Sequence, residues 1–242
     1  MHEKRETIPC CCFGFHGASG KKETYNERYP LMSKIQNYQY QYSRSAATKG
    51  RKKSASNKTG ISSWAHHKII NTKADDIGFI KYLVNYLDKK KLADLKRIYA
   101  TGGSSGGLLC YTLARKTELF AAIAPTKCGM IKGAHEPDSS TAPVSVMQAI
   151  GDNDKSFHGS RKLLTMYSAE ERIRIWYNFL KCDSKPSVNS KIKGMTVKTY
   201  TNNVGNEVVY CMLHGQGHQI SKSIAKVMDR LIIEFFMRHK KS

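Results

Sequence analysis

Residues 97–111 read Arg-Ile-Tyr-Ala-Thr-Gly-Gly-Ser-Ser-Gly-Gly-Leu-Leu-Cys-Tyr. Arg97 to Thr101 is a short apolar run with β-favouring side chains, and its pattern is that of a buried strand. Leu108 to Lys116 places apolar residues at 108, 109 and 113, a helical spacing. Between them Gly102 to Gly107 has only glycine and serine, so the spacing predicts a tight turn from strand to helix. The same six residues would suit a flexible linker, but a linker is not closely flanked on both sides by apolar elements. Strand, turn and helix in immediate succession are the unit of a parallel sheet.

The flanking sequence repeats that alternation. Ile8 to Phe15 is an apolar run ended by His16-Gly17-Ala18-Ser19-Gly20, a strand opening into a small-residue loop. Asp75 to Lys89 is helical, with Ile77, Ile80, Leu83, Val84 and Leu87 on one face and two acidic residues at the positive end of the dipole. Phe120 to Ala124 and Val144 to Ile150 read as short buried strands. Ser168 to Leu180 is an amphipathic helix with Ile173, Trp176, Tyr177 and Leu180 on one stripe. Glu207 to Leu213 reads as a strand and Ile220 to His239 as a long closing helix. The expected class is α/β, one domain over residues 1–242, with a mainly parallel sheet covered by helices on both faces.

Glycines two before and two after Ser104 make Gly102-Gly103-Ser104-Ser105-Gly106 a GxSxG pentapeptide. In a nucleophile elbow the serine occupies a strained turn at the carboxyl end of a strand, and the glycines let backbone and helix approach closely. A serine hydroxyl needs a base to take its proton, and the base needs an acid to fix its tautomer. Both should follow downstream on loops after later strands. The Val144–Ile150 strand ends in Gly151-Asp152-Asn153-Asp154, and the Glu207–Leu213 strand ends in His214-Gly215-Gln216-Gly217-His218. Two aspartates and two histidines compete. Asp152, directly after Gly151, suits the capping of backbone N–H groups, and His214 at the strand end reads as a packed core histidine. Asp154 and His218 are therefore the expected acid and base. Two backbone donors for an oxyanion are expected at Ser105, the residue after the nucleophile, and at Ala18 in the loop after the first strand.

Composition narrows the alternatives. The chain has 242 residues, of which 40% are hydrophobic, enough for a core and against wholesale disorder. Its longest apolar stretches fall far below the roughly 18 to 20 residues of a membrane span, so no membrane partner is expected. Forty Lys and Arg against 19 Asp and Glu give a net charge of +21. Ten of the basic residues, and no acidic one, lie between Arg28 and Ala74. The segment at about 36–60 reads as a basic, solvated insert. Clustered Lys and Arg can bind polyanions, yet Tyr38, Tyr40 and Tyr42 match no RNA-recognition signature, and nucleic acid is not the expected partner. The seven cysteines form no CxxC pair, which argues against zinc and a disulfide framework and for small buried side chains. No metal or organic cofactor is expected.

Several motifs together resemble the polyhydroxybutyrate depolymerase and feruloyl esterase family of α/β-hydrolases. They are Asp75-Asp76-Ile77-Gly78-Phe79-Ile80, the 97–111 stretch, Leu119-Phe-Ala-Ala-Ile-Ala-Pro125, Gly151-Asp-Asn-Asp154 and Gly215-Gln-Gly-His218. The likeness spans roughly residues 60 to 239, with a weaker match at 8 to 20. It implies a serine carboxylic-ester hydrolase, with Ser104 as nucleophile, Asp154 as acid and His218 as base. The implied substrates are hydroxyalkanoate, feruloyl or acetyl esters, on a polyester or plant polysaccharide. It also implies an extracellular setting, although no secretion signal is recognisable in the chain as written. The chain departs from the family's pattern in beginning almost at the His-Gly strand, so that the first strands are expected to be missing. A buried strand is also absent from 36–58, a cysteine partner for Cys182 is absent near Asn202, and Gln219-Ile220 stands where relatives often carry aromatics. Two other readings share these residues: a serine peptidase of the same fold, and a catalytically inactive relative that binds polyanions.

Overall fold

A computed structural model describes residues 10–15, 17, 64, 75–161 and 165–241. The alternation read from the sequence builds strands β1 (Cys11–Phe15), β2 (Ile98–Gly103), β3 (Ala122–Thr126), β5 (Ser145–Gly151) and β10 (Glu207–Leu213). Neighbours in the order β1-β2-β3-β5-β10 pair in parallel. Strands β9 (Met195–Thr201) and β8 (Ser187–Asn189) extend the sheet antiparallel beyond β10, giving seven strands among the described residues. The short strands β4 (Met130–Ile131), β6 (Ser160–Arg161) and β7 (Thr165–Tyr167) form a separate antiparallel patch.

Helices α1 (Asp76–Lys89), α2 (Ser105–Lys116) and α3 (Ala169–Phe179) cover one face of the large sheet, and α4 (Lys222–Met237) covers the other. Strand periodicity sends alternate residues to the two layers. Ile98 and Ala100 pack with Phe13, Phe15 and Leu109 on the first face, whereas Tyr99 packs with Met228, Ile232 and Phe235 on the second. Because both faces are covered, all six residues of β2 and all seven of β5 are buried, as a doubly covered parallel sheet requires. Tyr99 also fixes α4 in place. Its ring stacks on Phe236 at 4.8 Å, and its hydroxyl donates to the His239 carbonyl at 2.7 Å.

Helix starts follow local chemistry. Asp75 caps α1 by accepting the Gly78 N–H at 2.7 Å. Ser168 and Glu171 form a reciprocal capping box at the start of α3, and Ser221 caps α4.

The segment expected as a turn from Gly102 to Gly107 is divided differently. Gly102 and Gly103 continue β2 in register with Pro125 and Thr126, and α2 begins at Ser105 rather than Leu108. The physical reason is pairing: the Thr126 hydroxyl donates to the Gly102 carbonyl at 3.1 Å, and the Ser104 N–H donates to the Thr126 carbonyl at 2.9 Å. Strand β9 was not read from the sequence, although Thr196-Val-Lys-Thr-Tyr-Thr carries β-branched residues in alternation. Among the cysteines, Cys11, Cys110, Cys128 and Cys211 are buried, and Cys10, Cys12 and Cys182 are partly so. The expected basic insert at 36–60 lies outside the described residues. No described helix is long and apolar enough to cross a membrane.

Candidate active site

Ser104 stands between β2 and α2 at φ 57° and ψ −119°. Residues other than glycine avoid positive φ, and such a conformation costs on the order of 1–3 kcal/mol unless the surroundings enforce it. Here they do. A Cβ on Gly102 would meet the Gly106 carbonyl carbon at 2.7 Å and the Phe15 carbonyl oxygen at 2.8 Å, and one on Gly107 would meet Cys128 Sγ at 2.5 Å. Three backbones therefore converge where only glycine fits, and the chain leaves β2 through a turn sharp enough to start α2 at once. The Ser104 carbonyl accepts the Leu108 N–H at 3.0 Å, making Ser104 the N-cap of α2. The positive end of that helix dipole then lies at the serine.

Ser105 is buried, and its hydroxyl accepts the Trp64 N–H at 3.2 Å. Gly17 places the loop after β1 beside this turn, since a Cβ there would sit 3.5 Å from Ser104 Cβ and 3.4 Å from the Gly103 carbonyl. Ala18 lies outside the described residues.

Asp154 and His218, the expected acid and base, lie in the loops that follow the neighbouring strands β5 and β10. Gly151 ends β5 beside Leu213 of β10, and a Cβ on Gly151 would collide with the Gln216 carbonyl. That absence of a side chain lets the two following loops lace together. The Asp152 N–H donates to the Leu213 carbonyl at 3.2 Å and the Asn153 N–H to the Gln216 carbonyl at 3.0 Å. The Gly215 N–H donates to Asp152 Oδ1 at 2.8 Å. Gln216 braces the same loop, accepting the Ser221 N–H at 2.9 Å.

Within this lacing Asp154 Oδ2 meets His218 Nδ1 at 2.8 Å, while Asp154 Oδ1 accepts the Ser156 N–H at 2.8 Å and the Ser156 hydroxyl at 2.7 Å. Burial pushes the Asp154 carboxyl up, but the bonds from His218 and Ser156 outweigh it and hold the pKa at about 2. An ionised carboxylate only accepts, so His218 Nδ1 carries the proton in this pair and the neutral ring offers Nε2 as the acceptor. His218 is half exposed and Asp154 is buried.

The competing pair behaves otherwise. Asp152 caps the Gly215 N–H, as its position suggested, and lies 3.7 Å from His214 Nδ1. His214 is not the packed core histidine expected: it is exposed, with Nε2 2.9 Å from the Thr196 hydroxyl. The sheet side of that strand end is filled by Leu213, so the next side chain points outward.

Ser104, Asp154 and His218 thus follow the carboxyl ends of three parallel strands at one edge of the sheet, the usual ligand edge of an open α/β sheet. Ser156 is not singled out by the sequence, and Gly151 and Gln216 enter there only as members of the Gly151–Asp154 and Gly215–His218 motifs. Only the Asp154-Lys-Ser156 spacing, that of an Asx turn, carried a local signal. Among the described residues no three His, Cys, Asp or Glu side chains come together as metal ligands.

Comparison with known proteins agrees with this architecture. Residues 61–172 match the model of the prolyl oligopeptidase family. Feruloyl esterase B of Piromyces equi is 27% identical in an alignment 159 residues long that covers 61% of this chain and 29% of that protein. The chain therefore spans less than a third of the length of that relative. Among solved structures, the acetyl xylan esterase from Aspergillus awamori superposes with a TM-score of 0.59 at 16% identity, covering 95% of this chain and 89% of that one. A thermostable esterase superposes with a TM-score of 0.56 at 14% identity, covering 98% and 56%. The protein has the α/β-hydrolase fold, and the resemblance to feruloyl esterases read from its sequence stands.

Proposed function

We propose that the protein is a serine carboxylic-ester hydrolase that works through an acyl-enzyme. The bond of His218 to a buried, ionised Asp154 carries this reading, because it leaves Nε2 as a proton acceptor at the same sheet edge as the strained Ser104 turn. Ser104 Oγ attacks the ester carbonyl carbon as His218 Nε2 takes its proton, and the tetrahedral oxyanion receives hydrogen bonds from the N–H groups of Ser105 and Ala18. His218 then gives that proton to the departing alkoxide, leaving the acyl group on Ser104. Water attacks the acyl carbon with His218 again as base, and the acid leaves as Ser104 recovers its proton.

The substrate class follows from resemblance: feruloyl or acetyl esters on plant polysaccharide, or hydroxyalkanoate esters. An extracellular setting belongs to the same reading. The test is hydrolysis of a short-chain p-nitrophenyl ester by wild type and Ser104→Ala. Turnover lost in the variant supports the reading, whereas equal rates in both proteins overturn it. A serine peptidase on the same residues is the second reading, favoured by the match of residues 61–172 to the prolyl oligopeptidase family. Cleavage of a peptide p-nitroanilide with no turnover of the ester would select it.

A further inference from the structure

Arg172, in the first turn of α3, has no exposed surface. Its Nη1 donates to the carbonyls of Ser156 at 3.0 Å and Tyr167 at 2.8 Å, while Nε and Nη2 have no hydrogen-bond partner among the described residues. Burial draws its pKa down, with Tyr111, Cys128, Tyr210 and Asp154 acting in the opposite direction. Taking a guanidinium out of water is costly unless it is well paired. This one is bonded only to neutral carbonyls, so an apolar side chain of similar length would fill the place at lower cost.

What the guanidinium holds accounts for its presence. Ser156 is the residue whose N–H and hydroxyl both donate to Asp154 Oδ1. Its carbonyl is tied by Arg172 to the Tyr167 carbonyl, which lies just before α3 begins. The turn is fastened a second time, since the Phe157 N–H donates to the Asp154 carbonyl and the Ala169 N–H to the Phe157 carbonyl, both at 2.8 Å. A continuous run of bonds leads from the helix through Ser156 and Asp154 to His218.

We propose that Arg172 is a positioning residue: by clamping the Ser156 peptide to α3 it fixes the rotation at which the Asp154 carboxylate meets His218 Nδ1. The proposal rests on the Asp154–His218 pair of the hydrolase reading and extends it to a side chain that touches neither the substrate nor the histidine.

The two ways in which Arg172 could act on His218 have opposite signs. Through space its positive charge disfavours a second cation, so removing it would raise the His218 pKa. Through positioning it supports the carboxylate that stabilises the imidazolium, so removing it would lower that pKa. The experiment follows the His218 ring protons by NMR against pH in a Ser104→Ala background, where activity is not needed. Asp154→Asn, Arg172→Met and Arg172→Lys are compared there, with Asp152 and His214 in the adjoining loop left intact. Asp154→Asn is expected to lower the His218 pKa by about one unit. Arg172→Met should lower it by at least half as much, and Arg172→Lys, which keeps a donor, by less. With Ser104 restored, Arg172→Met should lower kcat about tenfold with KM little changed, the pattern of a defect in the reaction rather than in binding.

A His218 pKa that is unchanged or raised in Arg172→Met overturns the proposal. So does a chain that fails to fold even as Arg172→Lys, which would place the side chain in core assembly. If Asp154→Asn itself leaves His218 unmoved, the pair and the hydrolase reading fail first, and the proposal with them.

Discussion

Gly102 and Gly106 lie so close that a single Cβ on Gly102 would stand 2.7 Å from the Gly106 carbonyl carbon. The contact joins the end of a strand to the first turn of a helix, both of them backbone, so neither side can yield by changing rotamer. Gly102→Ala should therefore destabilise the fold by at least about 2 kcal/mol, within the range for overpacked sites. Gly133 provides the comparison, since it has φ 74° but nothing within 4 Å of an added Cβ. Gly133→Ala should cost only about 1 kcal/mol. Urea denaturation of the two variants checks the contrast, and equal losses would show that the convergence at Gly102 is not tight.

Ser104 adopts a conformation suited to glycine, so its presence is a stability cost borne for the position of its hydroxyl. Ser104→Gly should raise stability by about 1 kcal/mol while abolishing ester turnover. A variant both inactive and less stable would mean that the turn is not strained.

The pH dependence of stability has a definite sign. Asp154 has its folded pKa held at about 2, below the roughly 3.9 of an unfolded aspartate. Its contribution is therefore complete above the unfolded value and is lost as pH falls through the folded one. On the carboxylate's account, the stability gap between wild type and Asp154→Asn should close as pH falls between about pH 4 and pH 2. Denaturation curves at stepped pH test this, and a gap independent of pH would contradict it.

The two histidines of the 214–218 loop should separate cleanly. His218→Ala should reduce ester turnover by about 10⁴-fold or more, as loss of a catalytic base does. His214→Ala should leave turnover within a few-fold, because its contacts are with Asp152 and Thr196. A large loss at His214 instead would reassign the base.

Much of the site was legible because its chemistry is local in sequence. The Gly102–Gly106 pentapeptide sits between apolar runs, and each of the two later strands ends in a loop bearing a candidate acid or base. Those signals rest on periodicity and on glycine, both fixed by backbone sterics over a few residues. Position in the loop favours Asp154 over Asp152 as the candidate acid, and in the structure Asp152 caps Gly215 while Asp154 meets His218. His214 was misjudged because burial after a strand end depends on how the following loop turns, which the strand's own residues do not specify.

What the sequence determined by itself was the strand–helix alternation, the glycine-lined serine turn and the loops that carry Asp154 and His218. Each depends on the conformational limits of neighbouring residues. Only the tertiary structure decided that Asp154 and His218, 64 positions apart, share a hydrogen bond. It also decided that Gly151 must be bare to admit Gln216 and that Arg172 reaches the Ser156 carbonyl from α3. Strand β9 joined the sheet through its partner β10. These features come from pairing between distant segments, where register and close approach are set by the whole packed sheet rather than by any local run of residues.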